Sequence, residues 1–300
     1  MDSPAGPDVS ISIVHYETPE LLLRCLEALA ASDRISAYEV VIVDNGSHGF
    51  SRLPLQRMLP SVRVIENPDN RGFAVANNQG LRGATGRYVL LLNPDALVEP
   101  DAISRVVSFM DANPDVGCAT ARLVLPDGTL DLACRRSFPT PLVALYRMTL
   151  LSRVFPGSRL FGRYNFTYLP EELETEIDAP CGAFMMVRSA TVAQVGLLDE
   201  GYFMYGEDLD WAFRIKAAGW RVMYLPSAVV HHAKRASSKR NRSNAIKWFY
   251  DAMRRFYATH YEPIYAPPVN WLVYAAIRLR QWVELGASRV SESRGKEGQA

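Results

Sequence analysis

Two textures of apolar and polar positions divide this chain. Between residues 9 and 113, short runs rich in apolar residues alternate with stretches of helical spacing. Val9 to Val14, Glu39 to Val43, Val62 to Glu66 and Tyr88 to Leu92 read as strands, the last buried on both faces as in a parallel sheet. A helix opening at Pro19 carries Leu22, Leu26 and Leu29, and another runs from Phe73 to Leu81. A third, Asp101 to Asn113, presents Ile103, Val106, Val107 and Met110 on one face before Pro114 stops it. This alternation predicts βαβ units in a mostly parallel sheet.

The texture then changes. Leu123 to Leu132 carries a Pro-Asp-Gly turn between alternating runs, a hairpin signal. Residues 135 to 180 are irregular and rich in Arg, Phe, Tyr and Pro, which suits a long insertion facing a substrate. Cys181 to Val187 returns to strand and Ser189 to Val195 to helix. Glu207 to Ala218 is a helix with Leu209, Phe213 and Ile215 apolar and Gly219 as its stop. A strand-like run, Ala228 to Val230, ends in His231-His232.

Length and charge add an appendage. Three hundred residues, 48% hydrophobic, allow one large domain with a sizeable core, alone or with an extension. The net charge of +1 divides into −7 over residues 1 to 233 and +8 over residues 234 to 300. Within the basic tail, Ile246, Phe249, Met253 and Phe256 fall on one helical face beside Lys247, Arg254 and Arg255. Trp271 to Leu285 mixes apolar groups with Arg278, Arg280 and Trp282. Such helices suit a membrane interface; packing on the main domain or a homodimer contact is the alternative. Nucleic acid is not an expected partner. The four cysteines lack metal-ligand spacing, the N-terminus shows no secretory signal, and no apolar stretch is long enough to span a bilayer, so a reduced cytoplasmic setting is expected.

Nucleotide motifs narrow the chemistry. His15 to Arg24 contains no glycine, so the dinucleotide-binding loop after a first strand is absent, and no P-loop occurs. Polar groups instead cluster where strands end, the place where open α/β sheets bind ligands. Asp44 closes the second strand and could accept from a pyrimidine N–H. Arg71 lies in a glycine-flanked loop before a helix, positioned for phosphate. Asp95, in Asn93-Pro94-Asp95, could bind a divalent cation arriving with a diphosphate. Glu207 and Asp208 open a helix, where the macrodipole favours negative charge and an ionised carboxylate suits a general base. His231 and His232 offer a phosphate or metal contact.

In order and spacing, VSISIVHY, VVIVDNGS, NPDNRGFAVANNQG, YVLLLNPDALVEP, the run from Cys181 to Trp220, and PSAVVHHAKRAS resemble the family 2 glycosyltransferases of GT-A fold. The nearest subgroup is the rhamnosyltransferase-like enzymes that build bacterial polysaccharides on lipid carriers. The resemblance covers about residues 8 to 238. It implies an α/β GT-A domain over residues 1 to 238 and a basic amphipathic helical extension over residues 239 to 300. It assigns Asp44 to the base of a nucleotide sugar, Arg71 to its diphosphate, and Asn45, Asn70, Asn78 and Asn93 to the same donor. Asp95 becomes the metal contact, with Asn93 replacing the family's first acid, and His231 or His232 stands near the metal and diphosphate. Asp208 becomes the base with Glu207 beside it, while Glu17 departs from a frequent asparagine.

The implied donor is a dTDP-sugar, rhamnose first, with a UDP-sugar second; the cofactor is Mg²⁺ or Mn²⁺. The acceptor is a lipid-linked saccharide at the inner face of the plasma membrane. One carboxylate deprotonates the acceptor hydroxyl, whose oxygen attacks the anomeric carbon opposite the departing diphosphate and inverts it, much as base-activated water does in inverting glycosidases. A sugar-1-phosphate nucleotidyltransferase would need a glycine-rich basic loop that HYETPELLLR does not supply. A non-catalytic scaffold would not need Asp95 and Asp208.

Overall fold

The computed structural model describes residues 6–34, 37–234 and 242–297, without the side chains of 242 and 289–297. Nine strands among them form one sheet: β1 (Val9–His15), β2 (Tyr38–Asp44), β3 (Arg63–Glu66), β4 (Tyr88–Leu92), β5 (Ala96–Val98), β6 (Val116–Val124), β7 (Thr175–Glu176), β8 (Phe184–Arg188) and β9 (Arg221–His232). Their order is β3-β2-β1-β4-β8-β6-β9-β5, with β7 paired to β9. The N-terminal quartet is parallel as expected. Beyond β4 the sheet is mixed: β8 runs antiparallel to β4 and β6, β6 runs parallel to β9, and β5 and β7 oppose β9. A buried apolar run such as Phe184 to Val187 carries no mark of its direction.

The helices are α1 (Pro19–Ala30), α2 (Leu53–Met58), α3 (Phe73–Leu81), α4 (Ala102–Ala112), α5 (Pro141–Met148), α6 (Leu151–Val154), α7 (Ser189–Val195), α8 (Glu207–Ala217), α9 (Arg242–His260) and α10 (Pro267–Glu297). Leu22, Cys25, Leu26 and Leu29 bury the core face of α1, and Ile103, Val106, Val107 and Met110 that of α4. Helix α3 lies very close to β1, because a Cβ on Gly80 would come within 2.3 Å of Ser12 Oγ. That approach lets Ser12 donate to Asn77 Oδ1 at 3.1 Å. Gly128, at φ +83°, closes the expected hairpin after β6, with Leu125 N–H donating to Thr129 O.

Strand β9 turns the sheet toward the site. Its pairing with β6 slips between Leu225 and Val229, across Pro226, which has no N–H to give the ladder. The far end then pairs with β5, setting His232 opposite Ala96 and His231 opposite Leu97. All four cysteines are free.

The first tail helix is part of the folded body. Tyr250, Ala252, Phe256 and Tyr257 are buried, with Tyr261 just beyond, whereas Phe249, expected on the apolar face, is exposed. The docked face is thus built mostly from tyrosines, which a purely apolar stripe overlooks. Phe256 meets Phe213 edge-on, and His260 Nε2 lies 2.7 Å from Asp210 Oδ1 on α8. Helix α10 packs on α9, with Ile277 buried and Tyr257 Oη donating to Asn270, but leaves Trp271 71% exposed and Trp282 75%. No helix of the described residues is long and apolar enough to cross a membrane.

At the opposite end of the sheet from the site, Arg188 holds the end of α4. Its guanidinium donates to Met110 O (2.6 Å), Asn113 O (3.1 Å) and Val116 O (3.1 Å), tying the end of α4 and the turn after it to the start of β6. Arg188→Met should therefore lower unfolding free energy by about 2 kcal/mol, read from the urea midpoint at unchanged slope. An unchanged midpoint would remove this role.

Candidate active site

The strand-end residues converge at the carboxyl edge of the parallel quartet. Asp44, the last residue of β2, is 3% exposed. One oxygen accepts from Ser47 N–H at 3.2 Å; the other, Oδ1, is buried with no hydrogen-bond partner. His15 Nε2 stands 3.8 Å from Oδ1, and burial holds the imidazole pKa below its ordinary value despite Asp44 and Glu17. An open, buried carboxylate oxygen at a strand end is a ready acceptor for a ligand N–H.

Asn45 organises the neighbouring loop. Its side chain accepts from Asn67 and from Arg71 N–H, and donates to Asn70 Oδ1 and Gly72 O. Asn70 in turn accepts from Gly72 N–H at 2.9 Å. Asn45 and Asn70 thus shape the loop that carries Arg71, whose half-exposed side chain makes one loose contact, 3.4 Å, to Asp69. Gly72 has φ +85°, and a Cβ there would lie 2.6 Å from Phe203 O, so only glycine fits. Asn78 stands apart from this group. It donates to Leu198 O and Glu200 and accepts from Leu198 N–H, which makes it a clamp between α3 and the segment before α8.

Asp95 and His232 are brought together by the β5–β9 register. His232 Nε2 lies 3.3 Å from Asp95 Oδ1, and Nδ1 lies 2.9 Å from Asp131 Oδ2. Lys234 Nζ meets the other Asp131 oxygen at 2.6 Å. Burial pulls the His232 pKa down, but the Asp131 and Asp95 carboxylates outweigh it and lift the value to about 9. Asp131, missed in the sequence, orients His232 as a carboxylate orients a metal-ligating imidazole. His231 does not join: strand alternation turns it outward, half exposed, to Glu99 at 3.2 Å.

Among the described residues no group of three or more His, Cys, Asp or Glu is arranged to hold a metal. A divalent cation held by Asp95 and His232 would displace the Nε2 proton of the imidazole and bring its remaining oxygens from a diphosphate and water.

The second centre opens α8 behind Gly206, at φ +81°. Asp208 Oδ2 accepts from Arg136 Nη2 (2.8 Å) and Gly182 N–H (3.1 Å), and Oδ1 accepts only from Leu209 N–H (2.7 Å). Arg136, also unforeseen from sequence, is further bonded to Pro180 O. Glu207 corrects the expectation that the helix start lowers both carboxyl pKa values. Burial first, and the Asp208 charge second, push its carboxyl well above the usual range, and its Oε2 has no partner. Residues 182–183 bridge the two centres: Gly182 N–H serves Asp208, while Ala183 O accepts from Asn93 N–H at 3.1 Å.

Comparison with known proteins places this geometry. The model for Glycosyl transferase family 2 matches residues 10–191. The chain is 28% identical over 288 residues to the N-acetylglucosaminyl-diphospho-decaprenol L-rhamnosyltransferase of Mycobacterium tuberculosis, covering 92% of each protein. It is 27% identical over 258 residues to the rhamnosyltransferase WbbL of Escherichia coli, covering 83% of this chain and 92% of that one. In fold it resembles the mannosyltransferase PcManGT of Pyrobaculum calidifontis, solved with GDP-Man and Mn²⁺, with a TM-score of 0.59 at 19% identity over 98% of this chain and 76% of that one. It also resembles GalNAc-T7, solved with UDP, GalNAc and Mn²⁺, with a TM-score of 0.58 at 17% identity, covering 93% and 55%. The chain belongs to glycosyl transferase family 2: it is a glycosyltransferase of GT-A fold, similar along nearly its whole length to rhamnosyltransferases.

Proposed function

We propose that this glycosyltransferase moves rhamnose from a deoxythymidine-diphosphate donor to a lipid-linked saccharide, with inversion at the anomeric carbon. The observation that carries the reading is the placement of two unlike centres, Asp95–His232 and Asp208, on either side of residues 182–183. The donor's pyrimidine N–H meets Asp44 Oδ1, and Arg71 reaches its diphosphate. Uridine carries the same N–H, so a UDP-sugar is the alternative donor. When bound, the divalent cation neutralises charge growing on the departing diphosphate. Asp95 and His232 hold that end of the donor, with Asp131 fixing the ring of His232.

The acceptor hydroxyl gives its proton to Asp208 Oδ1, the oxygen with a lone pair to spare. Arg136 and Gly182 N–H hold the other oxygen and so aim the carboxylate. Glu207, enclosed and uncharged over much of the neutral range, supports its neighbour without touching the acceptor. The rhamnosyl donor and lipid-linked acceptor draw their support from the relatives' names. The exposed Trp271, Leu272, Leu279 and Trp282 of α10, with Arg278 and Arg280, suit peripheral contact with the inner face of a membrane.

Three outcomes follow. Asp208→Asn keeps the size and the helix start but cannot take the proton, so single-turnover transfer should fall about 10²- to 10⁴-fold while donor affinity holds. Near-normal transfer in that variant would move the base elsewhere. Asp95→Ala should make donor binding, read by calorimetric titration, indifferent to Mn²⁺; retained cation dependence contradicts the metal assignment.

The third concerns pH. The Glu207 value rises on folding from 4.5 to about 8, so its stabilising contribution is complete below 4.5 and disappears as pH climbs through about 8. Glu207→Gln should therefore melt higher than the parent at about pH 8.5, with the gap closing by about pH 4.5. A variant that melts lower at the alkaline end would show that the ionised form is the one the fold accommodates.

A further inference from the structure

Between Asp131 and Glu171 the chain carries six arginines and no lysine, aspartate or glutamate. Two are internal: Arg135 donates to Pro170 O and Leu169 O, and Arg136 to Asp208. The other four, Arg147, Arg153, Arg159 and Arg163, are exposed, and none pairs with a carboxylate among the described residues. Arg147 Cζ lies over the Tyr164 ring, 4.4 Å from its centroid.

Large apolar side chains lie between these cations. Leu142, Leu145, Leu150, Val154, Phe155 and Leu160 are each 49% to 65% exposed. Leu142 and Leu145, three apart on α5, share a helical face. Phe161 stands behind the patch, edge-on to Tyr146 of α5 at 4.9 Å and 5.7 Å from Phe155, so the two stretches form one surface. Leu150 adds an independent oddity. Its φ of +63° favours glycine or asparagine, and its exposure favours a polar residue, yet leucine stands there.

We propose that this α5–α6 surface, residues 141–161, is a second membrane contact that seats on an anionic lipid bilayer. Apolar groups exposed in a patch mark an interaction site. The arginines around them, none ion-paired among the described residues and with no acid within the segment, match anionic headgroups above an acyl layer, although Arg159 and Arg163 also line a cleft with Glu176 and Asp178. The surface also has a place in the reaction. It is rooted at Arg136, which holds Asp208, and at Ser137, whose N–H donates to Tyr164 O at 2.7 Å. Phe138, next along, packs on Phe213 of α8 and Phe256 of α9. A bilayer at α5–α6 would thus present a lipid-linked acceptor on the Asp208 side. That last step rests on the proposed acceptor; the bilayer contact does not.

Co-sedimentation of the full chain with phosphatidylglycerol-containing vesicles tests it, against vesicles of phosphatidylcholine alone. The double variant Arg153→Glu/Arg159→Glu and the double variant Leu145→Ser/Phe155→Ser should each cut the bound fraction about tenfold or more. All four side chains are exposed, so melting temperature and donor binding should match the parent. Trp271→Ser/Trp282→Ser probes α10 separately. If only that last variant loses binding, the tail contact stands and the α5–α6 surface is overturned. Equal binding of the parent to neutral vesicles also overturns it, and no binding by the parent removes both surfaces.

Discussion

Arg136 and Asp208 meet where little water reaches, with side chains 12% and 10% exposed, and most of the site's geometry follows from that pairing. Removing either partner from such a pair leaves a buried charge uncompensated, at a cost of about 3–5 kcal/mol. Arg136 also pairs through its backbone with Ala179, so both ends of the long insertion, residues 182–183 and the start of α8 must assemble together. Adjacent helical residues point about 100° apart, so Glu207 cannot share the guanidinium contact. One carboxylate is thereby given a counter-charge and the other an enclosed, poorly solvated position. Two neighbouring acids come to have different environments through a single arginine.

The same logic joins the tail to the catalytic body. Residues 199–206, which lead into α8, contain Tyr205 at φ +70°, a left-handed backbone that persists only where its surroundings hold it. Helix α9 supplies those surroundings. Trp248 stacks against Phe203 at 4.6 Å, Tyr205 meets Phe249 edge-on, and Arg255 clamps Asp199 with two nitrogens. Phe203 in turn accepts from Phe73 N–H beside the donor loop. A helix outside the matched family region therefore braces both the Arg71 loop and the start of α8. Helix α10 packs on α9 in turn, with its tryptophans left in solvent.

Much of this was legible before any coordinates. Tyr88–Leu92, Phe73–Leu81 and Ser189–Val195 fall where periodicity sets them, because each is long and uniform enough to declare its spacing. Asp44 and Asp95 were singled out by their place at strand ends, and the structure sets both there. The supporting residues were not. Asp131 lies 101 residues from His232 and Arg136 lies 72 from Asp208, and no local pattern links such pairs. The choice between His231 and His232 needed the β9–β5 register, since alternation decides it only once one strand residue is placed. Asn78 carried a motif's expectation, but its amide is engaged by Leu198 and Glu200. Glu207 misled because a helix start favours charge while burial disfavours it, and depth in the fold cannot be read from spacing.

One measurement bears most directly on a single displacement driven by one carboxylate: the anomeric configuration of the product. Transfer to a soluble acceptor analogue, followed by the anomeric carbon–proton coupling in nuclear magnetic resonance, reports it without ambiguity. Attack by an acceptor activated at Asp208, opposite the departing diphosphate, yields a linkage inverted relative to the donor. A retained configuration would require a second displacement on the donor, and the division of labour between Asp208 and Glu207 would fall with it.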